Sequence, residues 1–172
     1  MRDVLATEPA LAAELTEPAP AALLSPLVSP PLSAYEAAGL DLILEGFLLH
    51  HGRPRHLTPS APGREVLAGD YCYAHGLVRI TGAGDLFVVE ALADLIALGA
   101  GLVAADARGA LVPLWRGTTA AIAARRGRRE AEIGALFLAA QRALRASGDT
   151  AGLESLAAEL PPTPGLEEAL EA

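Results

Sequence analysis

A chain of 172 residues, 52% of them hydrophobic, has the apolar material for one domain with its own core. Its formal net charge of −8 argues against a general nucleic-acid binder. The charge is uneven, however: all of the thirteen Arg except Arg2 lie between positions 53 and 145, and there is no Lys, so an anionic ligand is expected to meet the middle of the chain.

Ala and Leu dominate, and both favour helix. Val, Ile, Thr and Tyr never cluster with period-two alternation, so no strand is expected. The fold class predicted is all-α, an antiparallel helical bundle joined by short connections. The single Cys72 has no partner for an internal disulfide and no CxxC spacing, which fits a reducing compartment and the packing role of a small hydrophobe. Asp3, Glu8 and Glu14 stand where a signal peptide would carry basic and then apolar residues. A cytoplasmic protein is the expectation.

Residues 1–32 form a Pro- and Ala-rich segment, in which Pro density limits helices to short pieces over Glu8–Leu15 and Ala21–Leu27. The main helical domain spans residues 33–147. It opens on Ser33-Ala-Tyr-Glu36, a capping box in which the two side chains satisfy each other's free amides. Leu40, Ile43, Leu44, Phe47 and Leu48 then give one apolar face, with Asp41 and Glu45 on another, until Gly52 ends the helix.

Residues 52–62 read as a loop. A second helix follows from about Gly63 to Ile80, with Val66, Leu67, Tyr71, Ala74, Leu77 and Val78 turned inward and Gly69 allowing a close helix approach. Asp70 is expected to bond to a neighbouring helix. Thr81-Gly-Ala-Gly-Asp85 is a tight turn, with Asp85 capping a third helix that ends near Asp106–Gly109.

Within that third helix, Leu86 to Ala105 is about one bilayer span long, but Glu90 and Asp94 sit one turn apart inside it. The pattern predicts a core helix with an acidic, solvent-facing stripe. A fourth element runs from Leu111 or Pro113 to about Arg126, and Gly127 breaks it from a fifth, Arg129–Arg145, which Ser147-Gly148 stops. Residues 148–172 read as an acidic tail with one short helix and a frayed end.

Few side-chain groups promise chemistry. His50, His51 and His56 lie close in sequence, yet His50 and His51 project about 100° apart on a helix and no carboxylate falls at ligand spacing, so no metal site is assigned. Arg53 and Arg55, with His50 and His51, form the candidate contact for a diphosphate or other anion. Arg125, Arg126, Arg128 and Arg129 read as a solvated helix end. Gly82-Ala-Gly84 lacks the strand and the Lys of a phosphate loop, and Cys72 with His75 belongs to helix packing.

Several segments, in order, resemble the trans-polyprenyl diphosphate synthases. Val66-Leu-Ala-Gly-Asp-Tyr-Cys-Tyr-Ala-His75 is similar to that family's "LAGDYLLA" helix. Residues Ala38 to Arg55 resemble the stretch leading through the first aspartate-rich motif into a basic loop. The segment Asp85 to Ile96 resembles the next family helix, Trp115 to Ile122 the helix opening with Lys-Thr-Ala, and Ile133-Gly-Ala-Leu136 the Gly-Ala beyond it. Together the resemblance covers roughly residues 34–145.

Departures from the family define the expectation. Where the family places Asp carboxylates for Mg²⁺, this chain has His50-His51-Gly52, and neutral imidazole is a poor Mg²⁺ ligand. Thr118 stands where the family Lys binds diphosphate, although the spacing from Thr118 to Gly134 is about one helical turn too long. The tail has nothing like the second aspartate-rich motif.

The resemblance therefore implies a truncated isoprenoid-synthase-like fold. It most resembles the small, aspartate-poor component of heteromeric, heptaprenyl-type synthases, whose products feed quinone side chains. Such a chain is not catalytic alone and needs no cofactor itself. Mg²⁺ is expected on an aspartate-rich catalytic partner, or the chain pairs with itself. It makes no membrane span, and its only membrane contact would be peripheral, through isoprenoid product. Gly69 and Asp70 then carry the family helix motif, and Leu86, Val89, Leu92 and Ile96 the expected interface. The competing readings are a stand-alone binder of an apolar or isoprenoid ligand and a scaffold that keeps only the fold.

Overall fold

The computed structural model describes residues 1–61, 63–82 and 84–171. Among them the regular structure is helical: α1 (Arg2–Thr7), α2 (Pro9–Ala12), α3 (Ser25–Val28), α4 (Ala34–His51), α5 (Arg64–Thr81), α6 (Leu86–Ala104), a 3₁₀ turn (Arg108–Ala110), α7 (Leu111–Ala123), α8 (Glu130–Ser147), α9 (Ala151–Ala157) and α10 (Leu166–Glu171). Extended pairing is limited to one isolated antiparallel bridge, Leu15 with Leu57. The all-α class is therefore as the sequence predicts.

Helix α4 is the axis of the molecule. Its Ser33–Glu36 capping box forms as expected: the Glu36 Oε2 accepts from the Ser33 amide at 2.8 Å, and the Ser33 Oγ accepts from the Glu36 amide at 3.3 Å. From Gly39 to Leu49 every residue is buried, so α4 has no solvent face over that stretch. One side joins the main core with α6, α7, α8, α9 and α10, where Phe47 meets Trp115 edge-on at 5.4 Å. The other side packs Leu42 and Leu49 against Leu5, Leu11, Leu57, Ala68 and Cys72.

Asp41 and Glu45 accordingly do not lie on a wet face. They are 4% and 1% exposed and serve as anchors for peptide amides. Asp41 accepts from the amides of Leu23, Leu24 and Ser25, which docks the N-terminal segment. Glu45 accepts from the amides of Arg55, His56 and Leu57, which folds the loop after α4 back onto the helix. Several N–H groups on each carboxylate offset part of the cost of its burial, although at Glu45 burial still outweighs them and raises the pKa.

Helices α4 and α5 make the most extensive pair in the fold and run antiparallel. Two glycines on each helix, seven residues apart, meet across the seam. A Cβ on Gly39 would lie 2.7 Å from the Gly76 carbonyl oxygen, and one on Gly46 would lie 2.9 Å from that of Gly69. The expected inward face of α5 holds only in part: Tyr71 and Leu77 are half-buried against the two core clusters, and the rest of that face is outside. Ala68, Gly69, Cys72, Gly76 and Ile80 face the core, while Leu67 is 71% and Val78 66% exposed, with Val66 and Ala74 also outside. Small residues win the core side because only they let two backbones approach this closely.

The tail also departs from expectation. It forms two helices, and its end is not frayed: Leu166 and Leu170 are fully buried against the main core. Arg116 ties it down, donating to the carbonyls of Ala157, Leu160 and Pro161 and to the Thr163 hydroxyl. Arg108 adds a second tie by donating to the carbonyls of Leu170 and His51. At the other terminus the helices are short, as expected: α2 lies within Glu8–Leu15, α3 overlaps the end of Ala21–Leu27, and α1 precedes both.

Candidate functional site

The end of α4 and the loop after it carry the residues expected to receive an anion. The structure does not bring them together as one receptor. His50 lies over the seam, its ring stacked on Tyr73 at 5.3 Å and its Nε2 3.3 Å from the Asp70 carboxylate. This places Asp70 beside the neighbouring helix, at ion-pair distance from His50. Gly69 makes room for that ring, because a Cβ there would lie 2.5 Å from the His50 Nε2.

His51 turns the other way and packs on Phe47 at 4.9 Å, and burial, His50 and Arg108 hold its pKa below the ordinary imidazole value. Arg55 donates to the Ala21 carbonyl. Arg53 is exposed, with no hydrogen bond or ion pair among the described residues. His56 is 6% exposed, so it is no part of an exposed loop cluster, and burial pushes its pKa down to about 4.

The Mg²⁺ implied by the resemblance does not fit these residues. At the matching position the donors are imidazoles, with one carboxylate, Asp70, beside His50. Among the described residues no group of three His, Cys, Asp or Glu is placed to hold a metal ion. Thr118 is fully buried inside α7, so its hydroxyl does not reach a bound diphosphate from solvent.

Of the basic run at the α7–α8 junction, Arg126 and Arg128 are exposed, as expected of a solvated helix end, while Arg125 and Arg129 form ion pairs. Arg125 binds Asp85 at 2.9 Å and also pairs with Glu130, while Arg129 binds Glu132 and Glu159. Asp85 meanwhile caps α6, accepting from the amides of Phe87 and Val88, and its hydrogen bonds from Arg125 help hold its pKa low against a burial effect of opposite sign. Cys72 is buried, and burial raises its thiol pKa strongly, which makes it a poor nucleophile.

The outer face of α6 is the feature with the clearest chemical character. By length and composition this helix qualifies to cross a membrane, with mean hydropathy 2.1, yet only 28% of that window is buried. Val88, Ala91, Leu92, Leu95 and Gly99 face the core, with Gly99 set against the Phe47 ring.

Leu92 therefore leaves the expected interface, because it is fully buried within its own chain. Leu86 is 75% exposed, Val89 and Ile96 are half-buried, and Ala93, Ala97 and Ala104 are exposed on the opposite side. The acidic stripe is present as predicted: Glu90 is exposed and Asp94 pairs with Arg145 at 2.7 Å. A solvated helix normally covers its outer face with polar side chains, and this one offers only those two acids.

The site and fold thus define an all-helical protein with a glycine-lined central seam and one helix, α6, whose outer face carries few polar groups. The chain has no significant match among protein-family models, curated proteins or solved structures.

Proposed function

We propose that this chain is the non-catalytic small subunit of a heteromeric polyprenyl diphosphate synthase. In this reading it docks through the outer face of α6 on an aspartate-rich subunit that brings Mg²⁺ and performs the prenyl transfer. The observation that carries the proposal is the outer stripe of Leu86, Val89, Ala93 and Ala97 on a helix of mean hydropathy 2.1, whose only polar side chains are Glu90 and Asp94. A large apolar face on a folded chain marks an interaction surface.

Two further observations support it. The segment most similar to the synthases, Val66 to His75, is the half of the seam that Gly69 and Gly76 shape. The residues at the metal-binding position are His50 and His51, whose rings are engaged with Tyr73, Asp70 and Phe47.

The test is an assay of purified subunits with isopentenyl and allylic diphosphates and Mg²⁺. This chain alone should yield no prenyl diphosphate. Mixed with the cognate full-length synthase, it should confer activity or a longer product that neither shows alone. Turnover by the isolated chain, or a synthase unchanged by its addition, would sink the proposal.

A further inference from the structure

Helix α5 carries an apolar stripe on the side away from the glycine seam. Leu67, Ala74 and Val78 stand exposed along it, and Tyr71 is half-buried between them. The close contact with α4 belongs to Gly69 and Gly76 on the opposite side. Leu67, Ala74 and Val78 accordingly belong to neither of the two core clusters.

The stripe has the spacing of a helix-pairing seam. Leu67, Tyr71, Ala74 and Val78 fall in turn at the d, a, d and a positions of a heptad, and Thr81 takes the next d. A solvated helix face normally breaks such a run with charged side chains.

The charged and polar groups stand instead on the two flanks. Asp70 falls at g and His75 at e. The Asp70 side chain is 67% exposed and has one ion-pair partner, His50. His75 is exposed and stacks on Tyr71 with ring centroids 4.1 Å apart. Among the described residues it has no hydrogen bond or ion pair. Asp70 and His75 lie about 140° apart around their own helix, so they do not meet within one chain. Their separation in sequence is the one at which a g residue meets the e residue of a parallel partner helix.

We propose that this stripe is a self-association face on which a second copy of the chain docks, α5 against α5 in parallel about a twofold axis. Leu67, Tyr71, Ala74 and Val78 each meet their own counterparts, and the Asp70 carboxylate accepts from the partner's His75. The twofold forms that pair twice, once on each flank. An antiparallel docking turns like flanks toward each other and sets both Asp70 carboxylates on one side, so it forgoes the pair. An anionic lipid surface does not suit the face either, because the chain has a net charge of −8 and Asp70 borders the stripe. The α5 stripe is separate from the outer face of α6, so this inference does not depend on the synthase reading.

The experiment is sedimentation equilibrium of the full chain alone over a wide concentration range. Wild type should show a reversible monomer–dimer equilibrium. Leu67→Asp should weaken the dimer at least about tenfold, since each dimer loses two buried leucines. His75→Glu should weaken it as well, by setting carboxylate against carboxylate, whereas His75→Arg should not. Leu86→Glu, on α6, should leave it unchanged. Leu67→Cys with oxidised glutathione should give a disulfide-linked dimer, because a parallel pair brings residue 67 to its counterpart and an antiparallel pair does not. Leu67, His75 and Leu86 are all exposed, so these variants keep the fold, which circular dichroism checks. A chain that stays monomeric throughout leaves the stripe to a different partner and overturns the proposal. A dimer left as tight by Leu67→Asp or His75→Glu, one abolished by Leu86→Glu, or a Leu67→Cys chain that does not cross-link overturns it too.

Discussion

Replacing Gly76 with Ala isolates what the α4–α5 seam contributes. In an ordinary helix interior the change stabilises by about 1 kcal/mol, because Ala is the better helix former. Here the new methyl would lie 2.6 Å from the Ile43 Cγ1, 2.8 Å from the Gly39 carbonyl oxygen and 3.2 Å from the Ile43 amide nitrogen. Two of those atoms are backbone and cannot swing aside, so the helices must part. Overpacking of this kind costs about 1–3 kcal/mol, and the backbone obstacles place Gly76 at the upper end. The net expectation is a loss of about 1–2 kcal/mol, or a Tm lower by roughly 2–8 °C. Gly101→Ala is the control, since a Cβ there meets nothing within 4 Å and should stabilise by up to about 1 kcal/mol. Urea unfolding followed by helical circular dichroism reads both variants. A Gly76→Ala protein as stable as wild type would show that the seam is not closed as described.

Three further outcomes follow from buried or stapling groups. His56 has its pKa lowered from 6.5 to about 4, so as pH falls the unfolded chain takes up the proton first. Stability present above pH 6.5 is then lost toward pH 4, by about 2–3 kcal/mol, and the urea midpoint of His56→Gln should lack that part of the slope. Glu45 works in the opposite sense: burial raises its pKa, so its contribution weakens as pH rises above 4.5. Glu45→Leu leaves the amides of Arg55, His56 and Leu57 unpartnered and should cost at least about 3 kcal/mol, whereas Glu45→Gln keeps an acceptor there and should cost less; equal unfolding midpoints for the two would contradict the anchoring role. Arg116→Ala should speed proteolytic cleavage between residues 158 and 165, and an unchanged cleavage rate would mean that the tail is held without it.

The parts of the fold legible in the sequence were those set by local chemistry. Ser33 and Glu36 announce the start of α4, Asp85 caps α6, and Gly148 ends α8 with φ of 72°. Side-chain size alone points Val66, Leu67 and Val78 of α5 inward, and these lie outside. Gly39 with Gly46, and Gly69 with Gly76, repeat at seven residues on two successive helices, and that matched spacing was the available signal for a close antiparallel seam. The roles of Asp41 and Glu45 were hidden because their partners are backbone amides of other segments, which carry no sequence signature. The tail looked loose because its charges are acidic, while Arg116 and Arg108, which hold it, lie far away in sequence. On α6, apolar content groups Leu86, Val89, Leu92 and Ile96 together, because periodicity over a helix apolar on all sides does not separate Leu92, which is in the core, from the exposed Leu86.

The measurement that tests the central claim most directly is light scattering on the size-excluded mixture of this chain with its cognate aspartate-rich synthase, run in parallel with Val89→Arg. Val89 is half-buried on the outer side of α6, next to Leu86 and Ala93, so a guanidinium there puts a charge into the proposed contact. The account predicts a defined complex with the wild-type chain. It predicts none with the variant, whose circular dichroism should match wild type. A wild-type chain that stays apart from the synthase, or a Val89→Arg chain that joins it equally well, would contradict the account.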